Sequence, residues 1–443
     1  MLVPLALTVL ISQGRFIASP YWSDDSAAFA DAFARASAQD VADARLSPQD
    51  DTPTTAAQIP ELRVALTFAA SAQFDLAAAA LDAYATSHPR AAESAWALRT
   101  AHRYWHALGR DAEAARTLHR YEADHAAHEP RAAAEFFWSR RDLLTGPQRR
   151  DHLRTYLARH AAHGPPDLRI AAEAELAADL WRAACPGPWH GLCVDFTWAT
   201  RKVTCALARA PLFTVRPRDP AVRREALRHA ATAARLSRAL DRERVAPWRR
   251  PALRAALGQA ALVEADDSLE TLIALEFPRG MAFFVEDYKN TPEIPKWQRE
   301  YREQVRRRDD SIRKLHRYWT AYGPRLVSAD RRVDALRETG SATAMLLGMT
   351  RFALAIGEVM DEQDFIETDS AYAKSAYAPS AYSWCHPSEL TRPGREIANQ
   401  LLLTCAGLVR THGMPDPDLA VCFEGFSRLY GAEEPLPELF SPA

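Results

Sequence analysis

The feature that most constrains the fold is a helical unit that recurs in the first half of the chain. A Leu–Tyr pair, with two residues between its members, returns roughly every 36 residues, at Leu81/Tyr84, Leu118/Tyr121 and Leu153/Tyr156. The segment 61–87 contains neither Gly nor Pro and carries Ala, Leu and Phe at helical spacing. A repeat of this length is typical of helix hairpins that bury their apolar faces against neighbouring hairpins. The sequence therefore predicts stacked helix pairs beginning near Glu61.

The composition supports an all-α fold. Only 17 of 443 residues are Gly, well below the usual share of about 7 %, and no long alternating strand pattern occurs. A formal net charge of −2 gives no overall electrostatic reason to bind nucleic acid or an anionic membrane. No run of apolar residues is long enough for a membrane-spanning helix. We therefore expect a helical protein whose partner is another protein.

The recurring units resemble the tetratricopeptide repeat. In that family small residues let the two helices of a hairpin approach, and bulky residues fill the space against the next hairpin. Glu61 occupies a position where the family has Trp, and His102 occupies one where a small residue is expected. The resemblance implies a right-handed, TPR-like α-solenoid whose packing positions are Val64, Ala65, Phe68, Ala77, Leu81, Tyr84, Leu98, Ala101, Trp105, Ala114, Leu118, Tyr121, Leu153 and Tyr156.

Composition shifts divide the chain into five segments. An N-terminal segment and linker (1–60) precedes the TPR-like repeats (61–184). An irregular, Cys-containing insertion (185–220) is followed by a further helix hairpin (221–290) and by a C-terminal helical region with a long charged helix (291–443).

The first residues suggest a degenerate export signal. Residues 1–11 read MLVPLALTVLI, which is apolar, but no Lys or Arg precedes this run and the cleavage site matches poorly. The alternative is a disordered segment or a packed N-terminal strand.

Four of the six cysteines flank turns and are candidates for disulfides. Cys185 and Cys193 enclose a Pro/Gly-rich turn, and Cys405 and Cys422 lie on either side of another. The alternative is reduced, buried cysteines that behave as small apolar residues. No C-x-x-C motif occurs, which argues against redox catalysis and zinc ribbons.

The second half resembles a group of envelope proteins. The features that carry the likeness include Cys185-Pro with Gly191-Leu-Cys193, Arg216-Pro-Arg-Asp-Pro before a helix, and Phe277-Pro followed by Phe283-Phe284. They also include the charged helix around Trp297, the cysteines Cys385, Cys405 and Cys422, and the closing Leu429-Tyr and Glu434-Pro-Leu-Pro-Glu-Leu. These features are similar to those of tetratricopeptide-repeat proteins of the myxobacterial and deltaproteobacterial cell envelope, including the periplasmic repeat component of the gliding-motility machinery. The resemblance implies a periplasmic, non-catalytic scaffold with disulfides.

No pattern for catalysis, metal or cofactor binding stands out. The motifs G-x-S-x-G, G-x-G-x-x-G and G-x-x-x-x-G-K-[ST] do not occur. His102 and His106 share a helix face but lack the Glu of H-E-x-x-H, so we interpret them as packed or surface residues. The His-rich runs at 119–128 and 160–163 are interpreted as helix-terminal residues rather than metal ligands. We predict no catalytic residue, no metal and no cofactor.

Charged runs are interpreted mainly as solvated helix faces. This applies to Asp266, Asp267 and Glu270, and to the basic stretch 306–317, for which a phosphate or an acidic partner is the alternative. The acidic run 361–369 lacks the spacing of an EF-hand, and a weak calcium site is its alternative interpretation.

The resulting hypothesis is a scaffold whose repeats bind a protein segment in a bacterial envelope assembly. Its candidate partner-binding residues lie on the first helix of each pair, away from the packing stripe: Arg63, Thr67, Arg99 and Arg103. Two alternatives remain open. One is a hydrolase-like α/α enzyme with a carboxylate pair across a groove, and the other is a cytoplasmic adaptor with reduced thiols.

Overall fold

The computed structural model is mainly helical, which confirms the predicted fold class at that level. It describes residues 25–44, 52–189, 191–203, 206–276, 278, 294–368, 404–407 and 409. The predicted export signal, Cys422 and Asp369, the last residue of the acidic run 361–369, lie outside these ranges. Within them, none of the helices combines the length and the apolar character needed to cross a bilayer.

The regular elements follow one another along the chain as twelve helices and two strands longer than five residues within the described ranges. They are α1 (Asp25–Ala44), α2 (Pro60–Ala70), α3 (Phe74–Ser87), α4 (Ser94–Ala107), α5 (Asp111–Asp124), α6 (Pro130–Ser139), α7 (Gly146–Thr155), α8 (Pro166–Ala183), β1 (Val194–Val203), β2 (Ala206–Val215), α9 (Pro220–Arg238), α10 (Arg250–Ile273), α11 (Ile294–Asp334) and α12 (Ala342–Thr368).

The chain forms two compact units. Residues 43–176 and 235–253 form the first, which we call the helix-pair unit. Residues 1–42, 177–234 and 254–443 form the second, which we call the hairpin unit. The five-segment division made from the sequence stays a prediction.

In the helix-pair unit, consecutive helices pack against each other from α2 to α5. The turn between α2 and α3 places Ala72 at a φ of 58°, and the turn between α4 and α5 places Gly109 at a φ of 68°. A left-handed residue closes a helix and reverses the chain, and Gly adopts this conformation at the lowest cost. Each tight turn therefore makes its two flanking helices antiparallel neighbours.

Most of the predicted packing positions are buried. Twelve of the fourteen are at most 8 % exposed, including Leu81, Leu118 and Leu153. Val64 is 50 % exposed, so its assignment is wrong, and Phe68 is only half-buried. The buried stripe of α2 runs through Leu62 and Ala65, and Val64 lies about 200° around the helix from Leu62.

The third predicted unit is less regular than the first two. After α6 the chain forms a 3-10 turn over Arg140–Leu143, and α7 passes into a π-helical turn over Tyr156–His160. Leu153 and Tyr156 are nevertheless completely buried. The Leu–Tyr pair therefore keeps its packing role in a helix that is interrupted.

In the hairpin unit, β1 and β2 form an antiparallel pair in register from Val194↔Val215 to Val203↔Ala206. The prediction of irregular structure over 185–220 is wrong for these residues. Val, Phe, Thr and Trp are frequent in 194–203 and favour a strand. Pro211 lies within the second strand, and a Pro at such a position weakened the strand signal in the sequence.

Helices α10, α11 and α12 contribute much of the apolar core of this unit, together with residues of the hairpin. A Cβ atom at Gly258 in α10 would lie 2.6 Å from Ser341 Cβ and 2.8 Å from Ala344 Cβ. Backbone and side chain therefore approach here to a distance that only Gly permits. Ser341 Oγ also accepts a hydrogen bond from Ala344 N, so Ser341 caps the start of α12.

Candidate functional site

The four predicted partner-binding residues differ in exposure. Arg63, Thr67 and Arg103 are exposed, with the first two on α2 and the third on α4. Thr67 Oγ1 donates a hydrogen bond of 2.8 Å to the carbonyl oxygen of Arg63, and Arg103 Nη2 donates to Thr100 Oγ1 at 3.3 Å. Side chains on the outer faces of α2 and α4 are therefore accessible to a partner.

Arg99 is engaged inside the helix-pair unit. Its Nη1 donates to Glu129 Oε2 at 3.0 Å, and its guanidinium carbon lies 5.7 Å from the centre of the Tyr121 ring. Because the side chain is half-buried in these contacts, it binds neighbouring helices rather than a groove.

Exposed apolar side chains lie near the turns of the helix pairs. Phe74 and Leu108 are about 40 % exposed, and the Phe74 ring lies 5.2 Å from the Tyr104 ring. Leu108 follows Tyr104 by one helical turn. Together Phe74, Tyr104 and Leu108 form a small patch, which we call the turn patch.

The histidines of the repeats serve as packing residues. His102 Nδ1 lies 2.8 Å from the carbonyl oxygen of Ala114, and its ring meets Phe136 edge-on. Burial lowers the pKa of His102. In the part of the chain that the structure describes, no group of three or more His, Cys, Asp or Glu side chains is arranged to hold a metal ion.

In the hairpin unit, a disulfide joins Cys185 and Cys193, as the turn between them predicts. Cys405 also takes part in a disulfide, and its predicted partner Cys422 lies outside the described ranges. Arg218 fastens the Cys185–Cys193 loop to the helices, because its Nη1 donates to the Trp181 carbonyl at 2.6 Å and its Nη2 to the Gly191 carbonyl at 2.8 Å.

Two buried ion pairs lie beneath this loop. Arg218 donates to both carboxylate oxygens of Glu270, and Glu270 Oε1 also accepts from Cys193 N at 2.7 Å. Arg351 Nη1 donates to both oxygens of Asp266. The interpretation of Asp266 and Glu270 as a solvated face is wrong, since they are 2 % and 7 % exposed.

These four charges compensate one another. Burial raises the pKa of Asp266, and the Arg351 guanidinium acts in the opposite direction. Each carboxylate has a guanidinium partner, and the bonds run to backbone groups of the Cys loop and its surroundings. The arrangement therefore positions the loop and leaves little capacity for a ligand.

The helix-pair unit contains a polar cavity of about 230 Å³. It lies between α6, the first half of α8 and residues 248–253. On one wall Glu175 accepts hydrogen bonds from Arg141 Nε at 3.2 Å and from Arg149 Nη2 at 2.7 Å. The Arg141 guanidinium stacks 4.0 Å above the Trp138 ring. This wall is therefore fully paired.

The opposite wall of the cavity is less well paired. Arg249 Nη1 lies 3.5 Å from Asp167 Oδ2 and 3.9 Å from Glu135 Oε1. Asp167 Oδ2 is buried and accepts no hydrogen bond, and the Nε and Nη1 atoms of Arg249 donate none. Burial raises the pKa of Asp167, and the charge of Arg249 opposes that shift. Burial, with the charges of Asp167 and Glu135, also raises the pKa of the nearby Tyr156 hydroxyl.

No pattern in the sequence predicts this cavity. Its charged residues come from three distant segments, so no local spacing indicates that they meet. The only signal is the presence of Trp beside Arg in two of the segments, at 138–141 and 248–249.

Comparison with known proteins adds no relative: no protein-family model matches the chain, and neither the curated proteins nor the solved structures contain a significant match.

Proposed function

We propose that this protein is a non-catalytic helical-repeat scaffold that binds a segment of another protein within a bacterial envelope assembly. The observation that carries the proposal is the packing of α2 to α5. Consecutive antiparallel helices share one apolar core, while α2 and α4 keep Arg63, Thr67 and Arg103 exposed. A helix array of this kind presents the first helix of each pair to a common partner.

The proposal includes a TPR-like right-handed solenoid. It is supported by the recurrence of the Leu–Tyr pair and by the burial of twelve of the fourteen packing positions. The left-handed residues in the turns of the first two pairs agree with hairpins of similar shape.

The proposal also includes a periplasmic location. The disulfide between Cys185 and Cys193 supports it, because disulfides persist in oxidising compartments and are rare in the cytosol. Thiol titration of the denatured protein isolated from its native cells tests this part. A count of six free thiols would instead favour the cytoplasmic adaptor.

Site-specific crosslinking tests the scaffold. A photoreactive amino acid replaces Arg63 or Arg103 in the full chain, and Arg154, an exposed residue of α7, serves as the control position. We expect the first two positions to crosslink the same protein in native envelopes and Arg154 to crosslink none. With the photoreactive amino acid at position 63, the charge reversal Arg103→Glu should abolish the crosslink, and Arg63→Glu should do the same for a crosslinker at position 103. Arg154→Glu should leave both crosslinks unchanged.

Two results would overturn the scaffold: no reproducible crosslink from either position, or the same yield from Arg154.

An α/α enzyme is the second candidate, because two buried carboxylates, Asp167 and Glu175, line one cavity. Glu175 is bound by two arginines, so Asp167 is the only one of the two available for acid or base chemistry. Turnover of a soluble substrate that Asp167→Asn abolishes without changing the fold would favour this candidate.

A further inference from the structure

The cavity of the helix-pair unit has an uneven distribution of charge. Glu175 faces two guanidinium groups, those of Arg141 and Arg149. Asp167 and Glu135, by contrast, share the single guanidinium of Arg249. Arg131 also approaches Glu135, at 3.5 Å, but its side chain is 72 % exposed and water screens such a pair. Asp167 therefore has one cationic partner, Arg249, at a distance too long for a good hydrogen bond, whereas Glu175 has two close ones.

Asp167 is buried without a well-placed hydrogen-bond donor from the protein. The residue is 5 % exposed, and its Oδ2 accepts no hydrogen bond. The 3.5 Å to Arg249 Nη1 is well beyond the roughly 2.7–2.9 Å of a charge-assisted hydrogen bond. Leaving a buried carboxylate oxygen without a donor costs free energy. A ligand that supplies a donor would recover that cost.

The atoms on this wall that have no hydrogen-bond partner in the protein include both donors and an acceptor. Asp167 Oδ2 is an acceptor, whereas Nε and Nη1 of Arg249 are donors. A ligand complementary to both carries a cationic donor beside an oxygen acceptor. A primary ammonium next to a carboxylate or carbonyl oxygen has this arrangement, and the ammonium has three hydrogens to share between Asp167 and Glu135.

The rest of the lining suits an apolar group. The rings of Trp138 and Trp248 and the side chain of Leu253 contribute to the walls, and aromatic rings also favour a nearby cation. A volume of about 230 Å³ accommodates one amino acid with a medium-sized side chain.

We propose that this cavity binds an α-ammonium group next to a carbonyl oxygen, as in a free apolar amino acid or the first residue of a peptide. The ammonium donates hydrogen bonds to Asp167 Oδ2 and to Glu135. The carbonyl oxygen accepts a hydrogen bond from Nε or Nη1 of Arg249, and the side chain lies against the tryptophans. This site is separate from the exposed residues of α2 and α4 that carry the proposed scaffold function.

Isothermal titration calorimetry of the full chain tests the proposal. The ligands are the standard apolar amino acids, with leucine, leucine amide, N-acetyl-leucine and leucyl-glycine as the diagnostic set. We expect leucine or a similar amino acid to bind and N-acetyl-leucine, which lacks the ammonium, not to bind. Binding of leucine amide and leucyl-glycine as tight as that of leucine would identify a peptide terminus as the ligand, whereas weaker binding would identify a free amino acid.

Variants locate the ligand. Asp167→Asn should weaken binding by about tenfold or more, which corresponds to ~1.4 kcal/mol, and Glu135→Gln should weaken it less. Asp151→Asn, an exposed carboxylate of the same unit, should leave it unchanged. The proposal is wrong if the wild-type protein binds none of these ligands at millimolar concentration, if N-acetyl-leucine binds as well as leucine, or if Asp167→Asn binds like the wild type. Crosslinking from Arg63 and Arg103 is independent of all three results.

Discussion

Arg351 Nη1 donates to both carboxylate oxygens of Asp266, at 2.8 and 2.9 Å, and both side chains are buried. A guanidinium from α12 thus neutralises a carboxylate from α10 inside the hairpin unit. Each charge would be costly in this position without the other, because water is excluded from both.

Removal of one member of this pair should destabilise the protein strongly. Asp266→Asn leaves the Arg351 charge buried without compensation, and we expect a loss of about 3–5 kcal/mol in the free energy of unfolding. Urea denaturation measures this loss of unfolding free energy.

Two control variants accompany this measurement. The double variant Asp266→Leu/Arg351→Met should lose much less stability than the single variant. Asp310→Asn, which removes an exposed partner of Lys314, should leave the free energy of unfolding almost unchanged, because water screens such a pair. Equal losses for Asp266→Asn and Asp310→Asn would contradict this account.

His152 should make stability depend on pH in mildly acidic solution. Burial lowers its pKa from 6.5 to about 4, and the ring stacks 4.1 Å from Phe137. The unfolded chain therefore binds a proton at a higher pH than the folded one. The stabilisation is complete above pH ~6.5 and declines as the pH falls towards 4, by a total on the order of 3 kcal/mol.

The variant His152→Gln should lose this dependence of the free energy of unfolding on pH. We expect the difference in unfolding free energy between wild type and variant to shrink as the pH is lowered from 7 to 4.5, measured by urea denaturation at each pH. His128→Gln, at an exposed position, provides the control and should follow the wild type. A pH-independent difference for His152→Gln would show that the buried imidazole does not titrate as described.

Asp167→Asn should stabilise the protein at neutral pH. Burial raises the pKa of Asp167 in the folded state. The contribution of this carboxyl to folding stability is therefore fully present below the unfolded pKa of about 3.9. It is lost as the pH rises through the folded pKa. Asn has no charge to bury and lacks that loss, so we expect the variant to be more stable than the wild type at pH 7. Thermal unfolding at pH 4 and pH 7 should show the gain at pH 7 only. A variant less stable than wild type at pH 7 would argue that the pairing with Arg249 outweighs burial.

The disulfide of the Cys loop should contribute about 2.5 kcal/mol, because it closes a short loop in the unfolded chain. The double variant Cys185→Ala/Cys193→Ala tests this without a reductant, which would also attack the disulfide of Cys405. Guanidinium denaturation should show the loss, with the wild type under the same non-reducing conditions as reference. An unchanged midpoint would mean that Arg218 alone holds the loop.

The packing stripe of the helix pairs predicts a contrast between two leucines. Leu118 is 3 % exposed, and Leu118→Ala should cost about 2–5 kcal/mol through loss of contacts and a residual cavity. Leu76 is 45 % exposed, and Leu76→Ala should cost less than about 1 kcal/mol. Urea denaturation of both variants makes the comparison, and similar losses would contradict the assignment of the stripe.

The sequence predicted those features whose signals are local. The recurring Leu–Tyr pairs identified a buried stripe, because side chains spaced three or four residues apart lie on the same face of a helix. The turn between Cys185 and Cys193 indicated their disulfide. Val64 was misplaced because a shift of one or two residues around a helix turns a buried position into an exposed one.

Features that depend on distant segments were not predictable in this way. Asp266 and Glu270 have helical spacing, which is typical of a solvated face. They can be buried because Arg351 and Arg218, from other elements of the unit, form ion pairs with them. The cavity around Asp167 likewise depends on residues more than seventy positions apart in the chain. Spacing along one helix carries no information about the partner that another element supplies.

The close approach at Gly258 has a consequence for recognising relatives of this chain. Apolar neighbours in a core exchange readily for one another over evolutionary time, whereas a site that admits a single hydrogen atom tolerates no replacement unless both helices separate. We therefore expect a glycine in the first half of one long helix, matched to a small residue at the start of a later helix, to persist as sequences diverge. This pair gives a feature by which relatives of the chain can be recognised.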